Sequence, residues 1–150
     1  MVAKRESETL TGLYIDSSGL AKLYVPEAES EELDEFLQGR VDIMISELAL
    51  TEVLSAVARR KRESVLTTVQ ANQIRNALMS DAQSFRRLDL SPAIHREAER
   101  LLLSSGSVPL RTLDALHIAV ALSGGAQQVI TFDGRMAEAA ALYGLRVVEF

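Results

Sequence analysis

The sequence predicts an α/β fold in three layers, with a mostly parallel central sheet flanked by helices on both faces. Three observations carry that expectation. Short apolar runs at 13–15, 41–45, 129–132 and 145–148 alternate with longer segments whose apolar residues recur at helical spacing. Strand and helix patterns in alternation imply parallel strands joined by helical crossovers. Acidic residues end two of the runs, Asp16 after the first and Asp133 after 129–132, where parallel sheets bind their ligands.

Residues 1–11 are polar and charged without periodicity, and are expected to form a flexible tail ahead of a single domain spanning 12–150. Leu13-Tyr14-Ile15 reads as a strand. Asp16-Ser17-Ser18-Gly19 then offers cap chemistry for a helix carrying Leu20, Leu23 and Tyr24, stopped near Pro26. A second helix over 29–37 places Leu33, Phe36 and Leu37 on one face, and Gly39 ends it before a strand at 41–45. Ser46 caps a helix running to about Arg62, in which Leu50, Val53, Leu54 and Val57 form a buried stripe.

Looser spacing of Val69, Ile74, Leu78 and Met79 predicts a helix over 67–80, followed by a short strand within 85–90. Ser91-Pro92 is a helix start, with serine as cap and proline at the first helical position, and Ile94, Ala98, Leu101 and Leu102 line the face that follows. A turn at 106–109 leads to a helix that Thr112 is expected to cap, with Leu113, Leu116, His117 and Val120 on one side and Gly124-Gly125 at its end. A strand at 129–132, a helix at 136–142 and a strand at 145–148 complete the chain.

Composition narrows the function. A chain of 150 residues, 47% hydrophobic, builds one ordinary globular domain, burying roughly 68–70% of its unfolded surface without staples. Without cysteine there are no disulfides and no thiolate metal sites, which fits a reducing cytoplasm. The N-terminal residues lack the apolar core of a signal peptide, and no run approaches the roughly 20 apolar residues that span a bilayer, so a soluble cytoplasmic protein with no membrane partner is expected. A net charge of −5 argues against broad, charge-driven binding of nucleic acid, so any such contact must be local. Three tyrosines, four phenylalanines and no tryptophan disfavour extensive base stacking, pointing instead to structured RNA or backbone contacts.

Asp16, Glu52, Asp114 and Asp133 are the candidate site. The expected fold lets all four reach one crevice, where like charges at contact distance repel by about 4 kcal/mol per pair at an effective dielectric near 20, so a cation or protons must offset them. Each aspartate alone reads more readily as a helix N-cap than as a ligand; the coincidence of all four favours a site. Carboxylates suit Mg²⁺ or Mn²⁺, whereas His95 and His117 are too few and too scattered for zinc. A bound ion would lower the pKa of its water and neutralise charge on a phosphodiester, the chemistry of metal-assisted hydrolysis. Asp16 and Asp114 are the expected direct ligands, Glu52 a direct or water-mediated one, and Asp133 an outer or second-metal ligand, with the Ser17 and Thr131 hydroxyls placing water or side chains. His117, on an apolar helix face, reads as a satisfied core histidine, and His95 as a surface residue.

Leu13-Tyr14-Ile15-Asp16-Ser17-Ser18, Ser46-Glu47-Leu48-Ala49-Leu50-Thr51-Glu52-Val53, Leu113-Asp114-Ala115-Leu116-His117-Ile118-Ala119 and Thr131-Phe132-Asp133 resemble, in order, the four acidic blocks of PIN-domain ribonucleases. The closest likeness is to the VapC type, the toxins of bacterial and archaeal toxin–antitoxin modules, over residues 13–150. The resemblance implies a Mg²⁺- or Mn²⁺-dependent endoribonuclease, usually a homodimer, neutralised by an antitoxin whose C-terminal segment wraps the toxin near its active site. It also favours Glu52 over Glu47, since the two lie about 140° apart around a helix and cannot both face one ion.

Arg59-Arg60-Lys61-Arg62 reads either as a solvated helix end stabilised by the dipole or as a contact for RNA phosphates or an acidic antitoxin tail. Arg111 and Arg135 could steady substrate phosphates or pair with the acidic cluster. A receiver-like signalling domain would need a second acid beside Asp16 and a lysine late in the chain, and no lysine follows Lys61. An aspartyl-nucleophile phosphatase would need aspartate where Ser18 stands. The remaining alternative is a catalytically silent module of the same fold that acts through dimer or partner contacts.

Overall fold

The computed structural model describes residues 12–150, and the expected tail at 1–11 lies outside them. Among the described residues five strands form one sheet: β1 (Leu13–Ile15), β2 (Ile43–Ser46), β3 (Arg86–Leu88), β4 (Gln128–Ile130) and β5 (Arg146–Val147). Their order is β3-β2-β1-β4-β5 and every pairing is parallel, so the sheet is wholly rather than mostly parallel. Seven α-helices surround it: α1 (Ser17–Lys22), α2 (Ser30–Leu37), α3 (Glu47–Arg62), α4 (Thr68–Asp81), α5 (Pro92–Ser104), α6 (Thr112–Ser123) and α7 (Gly134–Leu142). No helix among the described residues is long and apolar enough to cross a membrane.

The strands sort their side chains with period two, which makes the three layers. Leu13, Ile15, Ile43, Ile45 and Ile130 pack on one face with Leu20, Leu33, Leu50, Val53 and Leu78 from α1 to α4. Tyr14, Met44 and Val129 pack on the other with Ile94, Leu101, Ile118 and Met136 from α5 to α7. Both faces are covered, so β1, β2 and β4 are buried at every residue and read as continuous apolar runs. Helix α6 is buried from Asp114 through Ala121, which obliges its two polar members, Asp114 and His117, to find partners inside the protein.

Local chemistry sets most boundaries. Ser46 Oγ accepts from Ala49 N at 3.0 Å to start α3, and Ser91 caps α5 ahead of Pro92. Thr67 and Gln70 form a reciprocal capping box on α4. Several boundaries shift: β4 ends at Ile130 instead of residue 132, and β5 covers only Arg146–Val147. The second strand begins at Ile43, because Val41 lies 87% exposed outside the sheet. Helix α1 stops at Lys22, well before Pro26. Thr112 is the first helical residue rather than the cap of α6: the cap position is Arg111, whose backbone N–H donates to Asp114 at 3.4 Å. Helix α7 starts at Gly134, two residues early, because Asp133 caps it.

Candidate active site

The chain leaves β1 for β2 on one side and finds β4 on the other, so the topological switch point lies between β1 and β4. A cavity of about 470 Å³ opens there, and Asp16, Glu52, Asp114 and Asp133 all line it, with Ser17, Arg111 and His117. Four separate elements supply the carboxylates: the end of β1, the second turn of α3, the first turn of α6 and the loop into α7.

Asp16 is both cap and pocket residue. Its Oδ1 accepts from Gly19 N at 3.0 Å and from the Ser18 hydroxyl at 2.7 Å. Helix α1 can press this closely onto the sheet only because residue 19 is glycine, where a Cβ would come within 2.9 Å of Ile15 and Ile130 methyl groups. Ser18 Oγ also accepts from Phe132 N at 2.8 Å and sits 3.3 Å from Thr131 Oγ1, tying the loop after β4 to the loop after β1. Asp16 is 3% exposed. Burial holds its carboxyl above the usual carboxylate range, against the hydroxyls of Thr131 and Ser18, the Gly19 N–H and the field of His117, which pull it back.

Asp133 Oδ1 caps α7 by accepting from Arg135 N at 2.9 Å and Met136 N at 3.4 Å, while Thr131 Oγ1 accepts from Asp133 N at 3.2 Å. Its Oδ2 accepts from Arg111 Nη2 at 3.3 Å. Arg111 Nε donates in turn to Asp114 Oδ2 at 3.4 Å, so one guanidinium spans two of the four carboxylates. Glu52 Oε1 lies 2.5 Å from His117 Nε2. Glu47, its rival along α3, turns away and takes a bidentate contact from Arg87 at 2.9 and 3.0 Å.

His117 is the satisfied buried histidine expected, 4% exposed, yet it also lines the pocket. Its Nδ1 lies 2.7 Å from Tyr14 Oη, which donates to Ser46 Oγ at 2.8 Å. Burial pushes the Tyr14 hydroxyl well above the ordinary tyrosine range, so it stays protonated and able to donate. The other expected contributors are placed unevenly. Thr131 braces Asp16 and Asp133 from behind, whereas Ser17 lines the pocket with no side-chain hydrogen bond among the described residues. Arg135 and the run at 59–62 do not line the cavity. Arg60 pairs with Glu27 at 2.8 Å, while Arg59, Lys61, Arg62 and His95 are exposed. Ser18, legible in the sequence only as part of a cap segment, braces Asp16; its sign is a hydroxyl two residues after an aspartate at a helix start.

The donor set is carboxylate oxygen with one imidazole, which fits a hard divalent ion. As the side chains lie, no three acidic or histidine groups among the described residues converge on one point at coordinating distance, because Glu52 faces His117 and Asp114 faces Arg111. An ion held by these groups would require rotation within the pocket, chiefly of Asp114 away from Arg111.

Compared with known families, residues 13–142 match the model of the PIN domain. The chain belongs to the PIN-domain family. This PIN domain is 35% identical over 144 residues to Ribonuclease VapC46 of Mycobacterium tuberculosis, covering 93% of this chain and 98% of that protein. It is 30% identical over 141 residues to Ribonuclease VapC35 of the same species, covering 91% and 95%. Among solved structures it shares its fold with M. tuberculosis VapC20, described as a sarcin-ricin loop cleaving toxin, at a TM-score of 0.68 and 20% identity over 85% of this chain and 95% of that one. A toxin–antitoxin complex from Klebsiella pneumoniae gives a TM-score of 0.64 and 21% identity over 93% and 97%.

Proposed function

We propose that this PIN domain is a divalent-metal-dependent endoribonuclease that hydrolyses RNA phosphodiester bonds as the toxin of a type II toxin–antitoxin module. The observation that carries the reading is the meeting of Asp16, Glu52, Asp114 and Asp133 in one pocket at the switch point of a parallel sheet. Near full-length likeness to relatives named VapC ribonucleases supports the reaction class. Likeness to a toxin–antitoxin complex supports an antitoxin partner. A homodimer acting in the cytoplasm is part of the same reading.

Asp16 and Asp114 would hold a Mg²⁺ or Mn²⁺ ion, with Glu52 binding directly or through a water and Asp133 at the outer edge. Such an ion, when bound, supplies a water of lowered pKa and offsets charge on the phosphate. The chain's own residues do the rest. Ser18 and Thr131 hold Asp16 rigid, Thr131 fixes the backbone of Asp133, and Ser17 offers a hydroxyl at the pocket wall. Arg111, released from Asp114, can take a phosphate oxygen through its fork of donors. Arg135 and the exposed Arg59, Lys61 and Arg62 supply positive charge farther out, for the RNA backbone or an acidic antitoxin segment.

The test is cleavage of structured RNAs, transfer RNA included, by antitoxin-free wild type and Asp16→Asn in Mg²⁺, Mn²⁺ or EDTA. Cleavage that needs the metal and is lost in the variant is expected. Absence of cleavage by folded wild-type protein across those RNAs would overturn the reading in favour of a silent binding module.

A further inference from the structure

Three members of one chain of hydrogen bonds, Ser46, Tyr14 and His117, have no part in the chemistry above. This chain starts at the cap of α3, runs along one face of the sheet from β2 to β1, enters α6 and returns to α3. Ser46 Oγ accepts from Ala49 N at 3.0 Å and from the Tyr14 hydroxyl at 2.8 Å. Tyr14 Oη lies 2.7 Å from His117 Nδ1, and His117 Nε2 lies 2.5 Å from Glu52 Oε1. Tyr14 and Ser46 are fully buried, while His117 and Glu52 line the pocket, the Glu52 side chain 27% exposed.

Both ring nitrogens of His117 are engaged on opposite sides, so the imidazole has one orientation. A ring flip would set carbon against the Tyr14 oxygen and the Glu52 carboxylate. A hydrogen must lie on the line between Nε2 and Oε1, because two facing lone pairs at that separation would repel. Glu52 Oε2, by contrast, makes no hydrogen bond among the described residues. A glutamate partway along a helix otherwise sweeps several rotamers, and ordering it only when an ion arrives is unfavourable. Were the chain there solely to satisfy buried polar groups, it could have closed on a backbone carbonyl; it ends instead on a pocket carboxylate.

We propose that His117 is a positioning residue: the Ser46–Tyr14–His117 chain fixes the imidazole, and the imidazole holds one oxygen of Glu52 so that the other is preset toward a divalent cation in the pocket. This role rests on the metal-dependent reading above. It makes Glu52 the one carboxylate of the four whose placement depends on a histidine 65 residues away.

The test is Mn²⁺ binding by titration calorimetry to the antitoxin-free full chain, with RNA cleavage as a second readout. The proteins are wild type, His117→Leu, His117→Gln, Tyr14→Phe and Asp16→Asn, each first checked for folding by metal-free thermal unfolding. His117→Leu should weaken Mn²⁺ binding by about 10–100-fold, the range for partners that orient metal ligands. Tyr14→Phe should lose less, and His117→Gln should recover part of the loss because its amide N–H can donate to Oε1. In cleavage, kcat should fall while the RNA KM stays put. Wild-type affinity and kcat in folded His117→Leu, beside weak binding by Asp16→Asn, would overturn the positioning role and leave the metal site standing. If His117→Leu does not fold, undiminished affinity in Tyr14→Phe overturns it equally. Failure of the wild type to bind Mn²⁺ would sink both readings together.

Discussion

On one side of the pocket, Asp16 and Glu52 face hydroxyls, a backbone N–H and an imidazole; on the other, Asp114 and Asp133 share the guanidinium of Arg111. The first pair is held by groups that are themselves braced: half-buried Ser18 by Phe132 N, buried His117 by Tyr14. The second pair also takes backbone N–H bonds, Asp133 from α7 and Asp114 from Arg111 N, but the Oδ2 atoms of both turn to one guanidinium whose side chain is 57% exposed. Both arrangements solve the same problem of acidic groups gathered out of water, but by different means. Fixed hydrogen bonds set geometry without cancelling charge, and a mobile cation cancels charge without setting geometry. On the proposed reading, one half of the site would be built before any ion arrives, while the other would exchange one cation for another.

The largest expected effect treats the halves alike. Asp16→Asn and Asp114→Asn should each lower kcat/KM for RNA cleavage by more than about 100-fold, beyond the range for residues that only orient ligands. Steady-state cleavage in Mg²⁺ measures both. If either variant kept near-normal activity, the two halves would not be one site.

Stability should separate them. Asp16 is an acid whose folded pKa is raised by burial, so its contribution to stability is fully present below the unfolded carboxylate pKa and is lost as pH rises through the folded value. At neutral pH in EDTA, Asp16→Asn should therefore raise the unfolding midpoint, at about 2–4 °C per kcal/mol for a chain of this size, and the gain should vanish as pH falls below the ordinary carboxylate range. Asparagine keeps an oxygen to accept from Gly19 N and Ser18. Asp114→Asn removes a partner of Arg111 instead and should leave the midpoint unchanged or lower it slightly, by less than about 1 kcal/mol for so exposed an arginine. A midpoint that falls in both variants would erase the distinction.

Much of this was legible in the sequence because the signals are local. Cap residues at Asp16, Ser46, Ser91 and Asp133 and the apolar runs at 13–15 and 129–130 mark where strands hand over to helices, and the parallel-sheet rule then brings the acids together. What stayed hidden is nonlocal. The Tyr14–His117 contact joins residues 103 apart, and nothing near either one announces it. Arg111 was visible as a nearby cation, but its grip on both Asp114 and Asp133 depends on how α6 lies against the loop into α7. The second strand starts two residues after its apolar run does, since Val41 carries β propensity but lies in water outside the sheet.

Arg111→Gln gives the smallest effect and the sharpest test of the exchange. The guanidinium contacts Asp114 and Asp133 at 3.4 and 3.3 Å, long for charge-assisted bonds and open to solvent, so its hold on them is weak. An incoming divalent ion must displace it from Asp114, and removing it should tighten Mn²⁺ binding by up to about fivefold, the equivalent of roughly 1 kcal/mol for an exposed pair. The displaced arginine is then at hand for a phosphate, so the same variant should raise the RNA KM while kcat changes little. Weaker Mn²⁺ binding in Arg111→Gln would mean that the arginine holds Asp114 and Asp133 in place for the ion. The second half of the pocket would then be preset like the first, with its charge offset by a fixed cation rather than an exchangeable one.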